Sequence, residues 1–243
     1  NCWCDNPISA MGVAVGDANN DGFPDLLVTN IGEYAYYQNA QDSSFVYATQ
    51  AAGLVPTVDY TYVSWGARFE DLNLDGNLDL LVAFAPTDPL ADRGSLSAQP
   101  DRLFLGQGDG LFVDGSEAAG FDSTAKSRGL ATGDITGDGL PDVVLATYDG
   151  VDVYVGAGGC PIGTTLVFSG GALVGTTVAV KVGDLSYTRH VYPSSSFSSS
   201  PLQVPLPALG ADHYDQVTIT WPDGTEEQLA DLQVGGRVTV TRQ

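Results

Sequence analysis

The chain of 243 residues carries 30 acidic side chains against 9 basic ones, a formal charge of −21. A field of that sign repels nucleic acid and anionic lipid, which are bound through clustered Lys and Arg, so no nucleic-acid partner is expected. No apolar stretch approaches the roughly 18 residues that span a bilayer, so no membrane span is expected either, and the length suits one large domain or two ordinary ones.

The first residue is Asn1 rather than Met and no signal peptide follows, so the chain is expected to begin after a processing step or to be a fragment. Cys2 and Cys4 are too close to pair comfortably with one another. A disulfide from one of them to Cys160 is expected, with one thiol left over. A Cys-x-Cys metal site is the competing reading, and it lacks a nearby histidine or fourth thiol.

Next comes Asp17-Ala18-Asn19-Asn20-Asp21-Gly22-Phe23-Pro24-Asp25, followed at once by the apolar run Leu26-Leu27-Val28. The pattern returns as Asp71-Leu72-Asn73-Leu74-Asp75-Gly76-Asn77-Leu78-Asp79 before Leu80-Leu81-Val82. It returns again as Asp134-Ile135-Thr136-Gly137-Asp138-Gly139-Leu140-Pro141-Asp142 before Val143-Val144-Leu145. Side-chain oxygens fall at positions 1, 3, 5 and 9, with glycine at position 6 to allow a sharp turn. That turn lets the carbonyl of Phe23, Asn77 or Leu140 join them. Asp, Asn and Gly also favour plain turns, but turn preference alone does not place Asp at the ninth position three times. Oxygen-only ligands suit a hard cation of six to eight ligands, calcium before magnesium, and three ions are expected. The expected ligands are Asp17, Asn19, Asp21, Phe23 and Asp25; Asp71, Asn73, Asp75, Asn77 and Asp79; and Asp134, Thr136, Asp138, Leu140 and Asp142. An EF-hand needs Glu at position 12, on a helix, where this chain has Val28, Val82 and Leu145 in β-type runs. The cage is therefore expected to close onto a strand. Cages of this kind, few lysines and many Asp, Gly, Ser and Thr residues point outside the cytosol, where calcium is abundant.

After the first two loops comes a second shared stretch, residues 36–39 with 45–54 and residues 103–106 with 110–121, each read as an aromatic β-hairpin. The second repeat is longer by a Pro/Asp/Ser-rich loop at residues 86–100. In the third, only residues 151–155 follow the acidic loop. No stretch has helical periodicity over ten residues, and the turn signals indicate an all-β chain of propeller blades. Tyr34, Tyr36, Tyr37, Tyr60, Tyr62 and Trp65 form the densest aromatic group and are expected to fill the space between blades. From about Cys160 the acidic loops stop. Residues 177–182, 216–221 and 237–241 then alternate apolar with polar side chains, the period of half-buried antiparallel strands in a small β-sandwich. The serine-rich residues 193–201 are expected to form an exposed loop.

The two histidines, His190 and His213, lie in this tail. A triad of His190, Asp212 and one of the serines in 194–200 can be drawn, but no G-x-S-x-G elbow exists, and neither H-E-x-x-H nor a P-loop occurs. Carboxylate pairs among Glu33, Glu70, Glu117, Asp59 and Asp88 carry little weight in so acidic a chain. No enzyme is expected.

The loops with their trailing strands and the Ala-Gly-Leu or Ala-Gly-Phe hairpins resemble FG-GAP/VCBS repeats, the calcium-binding blades of integrin-α-type propellers. The tail, with Leu209-Gly210, Val217-Thr218-Ile219-Thr220-Trp221-Pro222-Asp223-Gly224 and Val238-Thr239-Val240, is similar to the ASPIC/UnbV domain of cartilage-acidic-protein-like proteins. It departs from that pattern at Leu206-Pro207-Ala208-Leu209-Gly210, where an aromatic-Gly-Leu-Gly is usual. The resemblance implies a partial propeller over residues 1–159 and a small β-sandwich over residues 160–243. It implies a secreted protein whose propeller loops calcium makes rigid, but no particular activity; the expected role is a secreted or cell-surface adhesion, matrix or surface-assembly module with an extracellular protein or glycan ligand. Two alternatives are a subunit of a self-assembled fibre and a polysaccharide-binding accessory domain. Closed propellers typically have four to eight blades, so three leave a face to be covered by a longer precursor or by another copy in a homo-oligomer or filament.

Overall fold

The computed structural model describes residues 9–54, 62–88, 99–157, 163–170, 173–192, 196 and 203–242. Cys2, Cys4 and Cys160, and with them the expected disulfide, lie outside the described residues, as does Tyr60.

Each acidic loop joins the first strand of a blade to its second. In blade 1, β1 (Val13–Gly16), β2 (Asp25–Val28), β3 (Ala35–Asn39) and β4 (Phe45–Tyr47) form an antiparallel meander in chain order. Blade 2 repeats it with β5 (Ser64–Glu70), β6 (Asp79–Phe84), β7 (Arg102–Gly106) and β8 (Phe112–Asp114). Blade 3 has β9 (Ser127–Gly133), β10 (Asp142–Thr147) and β11 (Val151–Tyr154). The register at the loop is the same each time, with Gly16 opposite Asp25, Glu70 opposite Asp79 and Gly133 opposite Asp142. The ninth loop residue is thus the first residue of the second strand, and the loop closes onto a sheet.

Strand β6 shows how the blades stack. All six of its residues are buried, and period-two alternation splits the five apolar ones between two cores. Leu80, Val82 and Phe84 join Leu27, Tyr34, Tyr36, Phe69 and Phe112 between blades 1 and 2. Leu81 and Ala83 join Leu103, Phe121, Leu130, Val143 and Leu145 between blades 2 and 3. Tyr34 meets Phe104 edge-on at 6.3 Å and Tyr36 meets Phe112 at 5.8 Å, so these two tyrosines fill the inter-blade space. The inner strands follow one another, β5 lying against both β1 and β9.

One α-helical turn, α1 (Ser116–Ala119), follows β8 and ends on Gly120 in the left-handed region, φ 65°. Residues 48–53 make the matching turn in repeat 1, where the Ala52 N–H donates to the Ala48 carbonyl and Gly53 has φ 76°. The shared Ala-Gly is therefore a turn ending on a residue that needs positive φ.

The tail folds as two sheets. One has the order β15 (Gln203–Leu206), β12 (Thr164–Gly170), β18 (Arg237–Arg242), the last pair parallel. The other runs β14 (Leu185–His190), β13 (Thr177–Val182), β16 (Gln216–Thr220), β17 (Glu226–Leu229), all antiparallel. Their inner faces share a separate core that includes Leu166, Phe168, Val178, Val180, Ile219, Trp221 and Val240. Among the described residues the molecule is all-β apart from α1: propeller blades followed by a β-sandwich.

Candidate metal centre: three acidic loops

Loop 1 is wound around its first carboxylate. The Asp17 Oδ1 accepts the Asp21 N–H at 3.0 Å and its Oδ2 the Gly22 N–H at 2.8 Å, with Asp17 itself buried. Asn19 Oδ1 accepts the Asp21 N–H at 3.2 Å, and Asp21 Oδ1 accepts the Phe23 N–H at 2.8 Å. Two positive-φ residues, Asn20 at 56° and Gly22 at 89°, make the winding possible. Loop 2 repeats these contacts. Asp71 accepts from Asp75 and Gly76, Asn73 from Asp75, and Asp75 from Asn77, all within 3.1 Å. In loop 3, Asp134 accepts the N–H groups of Gly137, Asp138 and Gly139, and Asp138 that of Leu140. Position 4 is left-handed in every loop, as Asn20, Leu74 (φ 55°) and Gly137 (φ 79°). The buried Leu74 tolerates that conformation without the small side chain that usually marks it.

The ninth aspartates do something else as well. Asp25 has no exposed surface and accepts the Ala18 N–H, the Asn39 N–H and the Tyr36 hydroxyl at 3.2, 2.8 and 3.0 Å. Asp79 joins the N–H of Leu72 to that of Gly106, and Asp142 joins those of Ile135 and Thr136 to that of Gly156. Each ties the start of its loop to the hairpin that follows. Among the described residues no three His, Cys, Asp or Glu side chains converge as a preformed metal cluster. The loop oxygens are instead ordered by backbone N–H groups and by amides, as where Asn19 Nδ2 donates to Asp21 Oδ2 at 2.9 Å. A carboxylate has about four lone-pair positions, so Asp17, Asp71 and Asp134 still have acceptor capacity. The donor set of each of the three loops is oxygen-only, as a hard cation requires.

Burial dominates the electrostatics. It raises the carboxyl groups of Asp17, Asp25 and Asp71 above the usual range, Asp25 and Asp71 to about 6, and pushes Asp79 up to about 7. Backbone N–H donors work against that rise at Asp17, Asp25 and Asp79, while Arg189 is the main opposing influence at Asp71.

The sandwich docks on this end of the blades. Arg189 Nη2 donates to Asp71 Oδ2 and to the Gly76 carbonyl, both at 3.1 Å, and Arg237 Nη2 donates to the Asp134 backbone carbonyl at 2.5 Å. A cavity of about 50 Å³ at the junction is lined by Asp17, Arg68, Glu70, Arg189, His190 and Tyr192, among others. Arg189 Nε, His190 Nε2 and the Tyr192 hydroxyl have no hydrogen-bond partner among the described residues, and a few buried waters fit the space and the need. His190 stacks on Tyr192, and Asp212 pairs with His213 at 2.6 Å, so the His190–Asp212 pairing of the imagined triad does not form. Glu70 is bonded to Arg68 at 2.8 Å and to Thr132, and Glu33 accepts from Tyr47.

No curated protein matches the chain. Residues 17–82 and 88–145 match the FG-GAP-like repeat family, covering all three acidic loops, and residues 169–243 match the ASPIC and UnbV family. Repeats of one blade pattern, each with its acidic loop between first and second strands, followed by this sandwich, place the chain in the FG-GAP-like repeat family with a C-terminal ASPIC and UnbV domain.

Proposed function

We propose that the acidic loops bind calcium and that the protein is a secreted or cell-surface adhesion or surface-assembly module whose loops the ion makes rigid. The observation that carries the reading is the winding common to the acidic loops, of which loops 1 and 3 have a first carboxylate engaged by backbone N–H groups alone. A buried first aspartate there gathers the loop backbone, and the third and fifth side chains add neutral or charged oxygens. An ion at loop 1 would be held by Asp17, Asn19, Asp21 and the Phe23 carbonyl, with Asp25 closing the set. At loop 3 the holders would be Asp134, Thr136, Asp138, the Leu140 carbonyl and Asp142. The ion would supply the positive charge that draws the loop's aspartate oxygens inward and offsets their like charge; the protein supplies the fixed turn. The adhesive ligand would be an extracellular protein or glycan. Calorimetric titration tests the calcium reading. Asp17→Ala and Asp134→Ala should each remove one ion, while Asp223→Ala in the tail turn should remove none. An unchanged count in the first two would overturn it.

A second reading, self-assembly, has its own observation. Blade 3 shows three strands among the described residues where blades 1 and 2 show four, and its outer strand β11 exposes Val151 and Val153 by 65% and 54%. An apolar edge strand is a template for pairing with another chain.

A further inference from the structure

The sandwich does not treat the three loops alike, and loop 2 already holds a cation. Strand β14 delivers Arg189 to it, with a side chain only 6% exposed. Its guanidinium donates to Asp71 Oδ2 and to the Gly76 carbonyl, the first acidic position and the turn of that loop. The Tyr187 ring stacks on the guanidinium at 4.6 Å. Leu209 lies against the turn, its side chain 3.4 Å from where a Cβ on Gly76 would stand, an ordinary packing contact. In loop 1 the Asp17 carboxylate accepts the two backbone N–H groups equivalent to those on Asp71, and Arg189 acts on it only as the weakest of its electrostatic influences. In loop 3 Arg237 stops at the backbone carbonyl of Asp134 and leaves the carboxylate to Gly137, Asp138 and Gly139.

Resting on the calcium reading proposed above, we infer that Arg189 is the resident cation of loop 2, so that the chain takes calcium at loops 1 and 3 while loop 2 is closed by the sandwich. A divalent ion ligated by Asp71 would share its carboxylate with a guanidinium nitrogen 3.1 Å from the Oδ2, and repulsion between cations so placed would weaken binding ~100-fold or more even with substantial screening. Arg189 does not simply step aside, because moving it strands a buried charge on each side of the junction. The same contact that keeps calcium out therefore fastens the sandwich to blade 2.

The test is the calcium count of the full chain by equilibrium dialysis. The wild type should bind two ions. Asp75→Asn, an exposed position in loop 2, should leave the count at two, whereas Asp21→Asn and Asp138→Asn should each reduce it to one. Arg189→Gln should open a third site and Arg189→Lys should not. Three ions in the wild type, or a loss on Asp75→Asn, would overturn the inference while leaving calcium binding intact. No calcium at all would remove the calcium reading and this inference together. Should Arg189→Gln fail to fold, the Asp75→Asn comparison still decides, since it keeps Arg189 in place.

Discussion

At the scale of single residues, the ninth aspartate carries more structure than its place in the motif suggests. Asp25 is satisfied by two N–H groups and the Tyr36 hydroxyl, and Tyr36 is itself fully buried among Phe69 and Phe112. Tyr36→Phe keeps the ring and removes one bond to a buried carboxylate, so it should lower stability by about 1–2 kcal/mol in urea unfolding with an unchanged slope. A neutral result would mean that the hydroxyl is not what holds Asp25. The side-chain register at positions 1, 3, 5 and 9 was legible because it is written in Asp and Asn, with Thr136 the one substitute. The partners of the ninth position were not, because Asn39, Gly106 and Gly156 contribute backbone N–H groups, which every residue but proline has. Leu74 at positive φ carried no signal either, whereas Asn20 and Gly137 did. Arg189 was out of reach for another reason: it lies 118 residues from Asp71, and nothing local in either segment names the other.

At the scale of elements, the blades are joined by polar clips as well as apolar cores. Asp101, just before β7, has no exposed surface; it accepts the Phe84 N–H from β6 at 2.8 Å and the Ser127 hydroxyl from β9 at 2.7 Å. Burial pushes its carboxyl up to about 7. A raised acid favours the folded state fully below its unfolded value near 3.8, and that contribution is lost as pH rises through about 7. Asp101→Asn keeps the shape without the ionisation. The stability difference between wild type and variant should therefore move in the variant's favour from pH 5 to pH 8, by an amount on the order of 1 kcal/mol or more. A difference independent of pH would show that Asp101 does not titrate in that window. The strand runs after each acidic loop were legible from their apolar residues, and the burial of β6 on both faces follows from its being the middle blade. The truncated third repeat was legible too, since only residues 151–155 followed its loop. Its open edge makes a prediction: Val153→Lys should reduce any association seen by light scattering and leave the melting temperature within about 1 °C, because the position is exposed. Unchanged association would clear β11 of a role in assembly.

At the scale of the whole molecule, two kinds of β structure meet at the acidic end of the blades, and the chain's charge of −21 is carried partly by the loops at that junction. The buried aspartates of loops 1 and 2 sit above their usual carboxyl range, chiefly because burial strips the carboxylate of water, with neighbouring aspartates a smaller influence. Calcium at loops 1 and 3 would favour the ionised, folded loops, as Arg189 does at loop 2, so folding and metal binding should be linked. A site held at 100 times its Kd adds about 2.7 kcal/mol of stability, and two such sites roughly double it. The most direct measurement is the thermal unfolding of the full chain at neutral pH in millimolar calcium, in EDTA, and in EDTA followed by excess magnesium or excess calcium. A melting temperature that falls clearly on chelation, returns with calcium and returns poorly with magnesium is the predicted result; superimposable curves in calcium and EDTA, on protein shown by elemental analysis to have lost its metal, would contradict it.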